Sequence, residues 1–156
     1  MRFEHLLQIN DPLLPLIEPI SRAQLWRGLA WRVEDPAAFM PGLDACTILD
    51  RRDNYVKREL RFGQHRFVDH VHLEPQRRIR YDSDLADPHA GSSLVTTIEE
   101  PQAGILWVRF VYDTVPAEAA DGDPRWDEAR RSAYRESDID AIRRIRGWAA
   151  EGRLGA

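Results

Sequence analysis

The sequence predicts an α+β fold: a curved, seven-stranded antiparallel sheet with two short helices and one long C-terminal helix. Three observations carry this. From Leu43 to Val115 apolar and polar residues alternate with period two between turn residues. Asp123-Pro124 is a cap residue followed by proline, and it opens a long uninterrupted helical run. The elements follow as strand, two helices, six strands and helix, without internal repeat, and short consecutive strands with tight turns argue for a meander rather than βαβ units.

The first strand is expected over Phe3–Asn10, with Phe3, His5, Leu7 and Ile9 on one face. Asp11–Ile20 carries three prolines among leucines and isoleucines, so it should be extended or turning rather than regular. Ser21 with Gln24 is a capping box, and a helix through about Trp31 to Val33 should bury Leu25, Trp26, Leu29 and Val33. Asp35-Pro36 predicts a second short helix, ended by Pro41-Gly42. The remaining strands are expected over Asp44–Asp50, Tyr55–Phe62, Arg66–Leu73, Ile79–Leu85, Ser93–Glu99 and Ile105–Asp113. The last helix should run to about Glu151, a length of ~40 Å, enough to lie across a sheet. Ala133, Ser137, Ala141, Ile142, Ile145, Trp148 and Ala149 make its packing face. A strongly coiled sheet touches such a helix along a line, and the remaining volume is filled or left as a cavity for a small ligand.

Composition bounds the function. The chain of 156 residues, 43% hydrophobic and 31% charged, fits one globular domain over 1–156. A net charge of −4 gives no reason to expect a nucleic-acid partner. No apolar run is long enough to insert in a bilayer, and Met1–Asn10 lacks a signal-peptide pattern. Cys46 is the only cysteine, which is easiest to place in a reducing, cytoplasmic setting.

The segments "SRAQLWRGL" and "DPAAFMPGL", the final helix and the element order resemble the SRPBCC superfamily, the Bet v 1 and START-like helix-grip proteins. More narrowly, "INDPLLPLIEPISRAQLWRGL", "RELRFG", "TIEEP" and "SAYRESDIDAIRRIRGWA" resemble the AtaL-like family, over nearly the whole chain. The resemblance implies a helix-grip fold and a small hydrophobic ligand, in a superfamily whose members are carriers, cyclases, lyases and chaperone activators. The family name, from a fungal secondary-metabolite cluster, implies a link to natural-product chemistry. No catalytic motif is settled for the family, so none is carried across. The long Asp11–Ile20 segment departs from the shorter strand-to-helix turn of typical superfamily members.

Gly63-Gln64 reads as a two-residue hairpin turn, which sets Phe62 opposite His65, Leu60 opposite Phe67, Arg58 opposite Asp69 and Val56 opposite Val71. The apolar members define the inward face, so Arg58 and Asp69 should point inward and meet. A charge pair there either fixes a polar group of a ligand, with Asp69 a candidate acid or base, or is a structural ion pair. By the same alternation Ile79, Tyr81, Ser83, Leu94, Thr96, Ile98, Val108, Phe110 and Tyr112 face inward. Phe67, Tyr81, Phe110 and Tyr112 are therefore candidate ligand contacts, with Tyr134 of the long helix at one end; a satisfied core tyrosine is the alternative for each phenol.

His5 on an apolar face reads as hydrogen-bonded structure. His70 and His72 share the outer face, and no carboxylate at useful spacing completes a metal site, so an exposed strand is expected. On the long helix the arginines at 130, 131, 135, 143, 144 and 146 alternate with Asp127, Glu128, Glu136, Asp138 and Asp140, the pattern of a solvated face. Phosphate-loop, zinc and nucleophile-elbow patterns are absent, so no cofactor is expected. If Leu13, Leu14, Leu16, Ile17 and Ile20 tuck inward, the Asp11–Ile20 segment completes the core or a lid. If they stay exposed it should be a homodimer or partner surface.

Three functions fit: binding of a small apolar molecule, a metal-independent cyclase, lyase or hydrolase using Asp69 with Arg58, or an interaction module. A void of roughly 300 Å³ or more walled by Arg58 and Asp69 would favour the first two.

Overall fold

A computed structural model describes residues 1–86, 91–114 and 124–156. Strand β1 (Arg2–Gln8) is followed by helix α1 (Arg22–Glu34), strands β2 (Ala45–Arg52), β3 (Tyr55–Phe62), β4 (His65–Glu74), β5 (Arg78–Ser83), β6 (Ser93–Gln102) and β7 (Ile105–Asp113), and helix α2 (Pro124–Ala150). The strands form one antiparallel sheet in the order β1-β7-β6-β5-β4-β3-β2. This is the helix-grip arrangement: a curved sheet closed around a long C-terminal helix. The cap residue Asp123 lies outside the described residues.

Helix α1 starts where its capping box requires. Ser21 Oγ accepts the Gln24 N–H at 3.1 Å, and Gln24 Oε1 accepts the Ser21 N–H at 2.8 Å. The second short helix forms as a 3₁₀ helix, Pro36–Ala38. Asp35 makes no side-chain cap, and the helix is a single turn long. The Phe39 and Met40 N–H groups both reach the Pro36 carbonyl, but Pro41 has no N–H to continue the ladder. β1 stops at Gln8, short of the expected Asn10, because both the Ile9 and Asn10 N–H groups turn onto the single carbonyl of Leu106.

The core lies between the concave sheet face and the two helices. Leu25, Leu29 and Val33 of α1 and Ala141, Ile142, Ile145 and Trp148 of α2 pack on Val56, Val71, Ile79, Ile98, Val108 and Phe110. The helices cross at Gly28, where an added methyl group would lie 2.6 Å from the Ile145 side chain. Only glycine lets α1 come this close, and α1 must come close to bring its C-terminal turn, with Arg32, over the sheet. No helix among the described residues is long and apolar enough to cross a membrane.

Segment 11–20 has a fixed base and an open tip. Asn10 Nδ2 donates to the Ile20 carbonyl at 2.8 Å while Asn10 Oδ1 accepts the Ile20 N–H at 3.0 Å, which closes the loop with one side chain. Arg146, expected on a solvated face, instead donates to the Ile9 and Glu18 carbonyls. Ile20 is buried, but Leu13, Leu14, Leu16 and Ile17 are exposed, Leu16 to 99%. The segment therefore takes the exposed branch of the expectation.

Candidate ligand site

The β3–β4 hairpin supplies the first polar group. Gly63 adopts φ +60, which glycine tolerates without strain, and the two-residue turn pairs Arg58 with Asp69 and Leu60 with Phe67. Arg58 Nε donates to Asp69 Oδ1 at 2.9 Å and Nη2 donates to Oδ2 at 2.6 Å. Nη1 donates to the Val33 carbonyl at 3.0 Å, so the same guanidinium ties the sheet to the end of α1. Arg58 is 4% exposed, and this two-pronged geometry is what offsets its desolvation. Its guanidinium carbon stands 5.3 Å from the Tyr81 ring centre.

Helix α1 delivers a second guanidinium. Arg32 Nη1 donates to Asp138 Oδ1 at 3.1 Å, and Nη2 reaches Ser137 Oγ at 3.5 Å. Asp138 is 0% exposed. Its Oδ2 accepts the Tyr112 hydroxyl at 2.7 Å and lies 2.8 Å from His5 Nε2. Burial raises the Tyr112 phenol above its usual range, and the Asp138 charge pushes the same way, so it stays a protonated donor. One carboxylate from α2 thus gathers side chains from β1, α1 and β7. The expectation of a solvated Asp138 is wrong. Asp138 precedes Ala141 and Ile142 by three and four positions, and that spacing puts it on the packing face.

Between α1 and strands β3 to β6 lies a cavity of about 260 Å³, slightly under the size the sequence argument asked for. Pro36, Met40, Leu60, Phe62, Phe67 and Leu94 make its apolar wall, and Arg32, Arg58, Asp69 and Tyr81 its polar side. Burial raises the Tyr81 phenol, with Arg32 and Arg58 opposing, and among the described residues its hydroxyl has no hydrogen-bond partner.

Of the candidate ligand contacts, Arg58, Asp69, Phe67 and Tyr81 line this cavity. Phe110, Tyr112 and Tyr134 do not. Phe110 is fully buried in the core, and Tyr112 is spent on Asp138. Tyr134 stacks on Tyr112, with ring centres 4.0 Å apart. Arg32, Pro36, Met40 and Phe62 also line the wall, beyond the residues the sequence pointed to. Phe62 shares the strand face of Leu60 and was findable; Arg32 was not, because nothing local shows which way a helix-end arginine turns.

On the outer face His72 is exposed, as expected, but His70 is not free. Its Nε2 lies 2.6 Å from Asp84 Oδ2 and its Nδ1 lies 2.6 Å from the Tyr55 hydroxyl. The carboxylate comes from Asp84, just past the end of β5 and fourteen positions on. No group of three or more metal-ligating side chains occurs among the described residues.

A family model described as "AtaL: Acetylaranotin biosynthesis cluster protein L" matches residues 7–152. The chain belongs to the AtaL family. No curated protein sequence matches it. Solved structures share its fold at low identity. The Zhui aromatase/cyclase from Streptomyces sp. R1128 is 20% identical, with a TM-score of 0.62 over 100% of this chain and 96% of that one. The Aha1 dimer from Colwellia psychrerythraea is 10% identical, with a TM-score of 0.61 over 94% and 96% of the two chains. Ara h 8.0201 is 12% identical, with a TM-score of 0.58 over 97% and 98%. These likenesses show that this AtaL-family chain has the Bet v 1-like helix-grip fold. They assign it no ligand.

Proposed function

We propose that this protein binds a small, mostly apolar, ring-containing molecule in the cavity between α1 and the sheet, in the service of secondary-metabolite chemistry. The cavity itself carries the reading: an apolar wall facing a short polar side, at a size suited to a compact bicyclic molecule. The AtaL family description and the aromatase/cyclase among the structural relatives support the chemical setting. Titrating the protein with 2-naphthol should give saturable binding, with amide shifts centred on Leu60, Phe67 and Leu94. Leu94→Trp, which fills the cavity, should abolish it while the fold persists. Binding that survives the filled cavity would end the proposal.

Asp69 on the wall favours an enzymatic extension of this reading, in which a substrate is turned over with Asp69 as acid or base and Arg58 as its partner. Loss of turnover in Asp69→Asn with binding retained is the signature that separates catalysis from carriage.

The exposed leucines support a second role in self-association. The clamp at Asn10 presents Leu13, Leu14, Leu16 and Ile17 on a fixed base, and an apolar patch of this kind is costly to leave in water. Sedimentation should show a concentration-dependent dimer that Leu13→Ser with Leu16→Ser abolishes. A monomer at all concentrations would remove this role.

A further inference from the structure

The two guanidinium groups at the cavity are not equivalent, and the difference names a ligand class. Arg58 is spent: three of its nitrogens are committed to Asp69 and to the Val33 carbonyl. Arg32 is held but not spent. It has one good hydrogen bond, to Asp138, and one long contact to Ser137. Among the described residues its Nε–H has no partner, although the side chain is only 12% exposed. Arg32 is partly exposed, and none of its nitrogens is sealed off from the cavity, so four of its five donors are left to an acceptor placed there.

The carboxylate that balances Arg32 is behind it. Asp138 does not line the cavity, and its second oxygen is occupied by the Tyr112 hydroxyl and His5. What the cavity meets is therefore the cationic side of the pair. Beside it stands the Tyr81 hydroxyl, also without a partner among the described residues and on the same wall. Asp69, the one carboxylate on the wall, has both oxygens gripped by Arg58 and offers little charge to a ligand.

We propose that the ligand carries an anionic oxygen, as a phenolate, enolate or carboxylate on an apolar ring system, and that Arg32 and Tyr81 receive it. Asp138, His5 and Tyr112 act as positioning residues that hold the Arg32 guanidinium at the wall. The inference rests on reading the cavity as a ligand site, and assigns the anchoring to Arg32 rather than to the Arg58–Asp69 pair.

Three isosteric probes test it on the full chain: 2-naphthoate, 2-naphthamide and 2-naphthylmethylammonium. A charge-assisted pair in a mostly buried site predicts naphthoate binding at least about tenfold tighter than naphthamide, with the cation weakest. Arg32→Gln, which removes the charge and keeps a polar amide, should erase the preference for naphthoate while naphthamide affinity holds. Arg32→Lys should restore part of it. Tyr81→Phe, which strands no charge, should weaken naphthoate several-fold; this variant keeps the test open if Arg32→Gln unfolds. Equal binding of naphthoate and naphthamide to the wild-type protein overturns the anion assignment and leaves the pocket reading intact. A preference that persists in folded Arg32→Gln overturns the role of Arg32. Failure of all three probes to shift the cavity residues overturns the pocket reading, and the anion assignment with it.

Discussion

Asp138→Ala is expected to cost the fold about 3–5 kcal/mol, because it breaks a buried ion pair and leaves its cation behind. Arg32 would keep only the long contact to Ser137, and the Tyr112 hydroxyl and His5 ring would lose their shared acceptor. Asp138 itself is 0% exposed, so little water can replace its two oxygens. Asp138→Asn should cost less: the amide oxygen still accepts one hydrogen bond, but the charge that balances Arg32 is gone. Urea unfolding of the two variants, at unchanged m-value, measures both. A loss under about 1 kcal/mol for Asp138→Ala would mean that water reaches Arg32 freely, against the burial described above.

Asp69→Ala should cost about 2–3 kcal/mol, less than Asp138→Ala because Asp69 opens partly onto the cavity. Its side chain is 17% exposed, whereas that of Arg58 is 5% exposed and would be left with the Val33 carbonyl alone. Removing both charges at once, as Arg58→Met with Asp69→Leu, should recover most of that loss, since two apolar side chains of similar volume suit the neighbouring Leu60 and Phe67. Arg58→Met alone, Asp69→Leu alone and the double variant close a thermodynamic cycle with the wild-type protein. A coupling energy near zero would show that the two side chains do not act as a pair, whatever their distance.

These two ion pairs were unequally visible in the sequence, and the contrast is physical. Arg58 and Asp69 are eleven positions apart on strands joined by a two-residue turn. Local turn geometry and period-two alternation therefore sufficed to bring them face to face. Asp138 meets Arg32 across 106 positions and His5 across 133. No local rule spans that separation, and among mixed charges on a helix a lone acid reads as solvated. The spacing from Asp138 to Ala141, Ile142 and Ile145 was the one available signal, and it says only which way the side chain points.

Other outcomes divide along the same line. The helix after Asp35 stays one 3₁₀ turn long, for the local reason that Pro41 has no N–H to extend it. His70 finds Asp84 only because β4 and β5 pair with the register that sets it opposite Asp82. Tyr112 faces inward as the alternation requires, yet it donates to Asp138 and stacks on Tyr134 of the long helix, and neither ring lines the cavity.

Sequence alone determined what depends on neighbours along the chain: the seven strands, the capping box at Ser21, the long final helix and the Arg58–Asp69 register. Hydrogen-bond periodicity and turn chemistry act over a few residues, so those features are written locally. Only the tertiary structure decided that Gly28 lets α1 close on α2, that Arg32 reaches the cavity wall and that Asp138 is the buried anion behind it. Those outcomes depend on which distant surfaces exclude water from one another, and that is settled when the sheet curls around the helix.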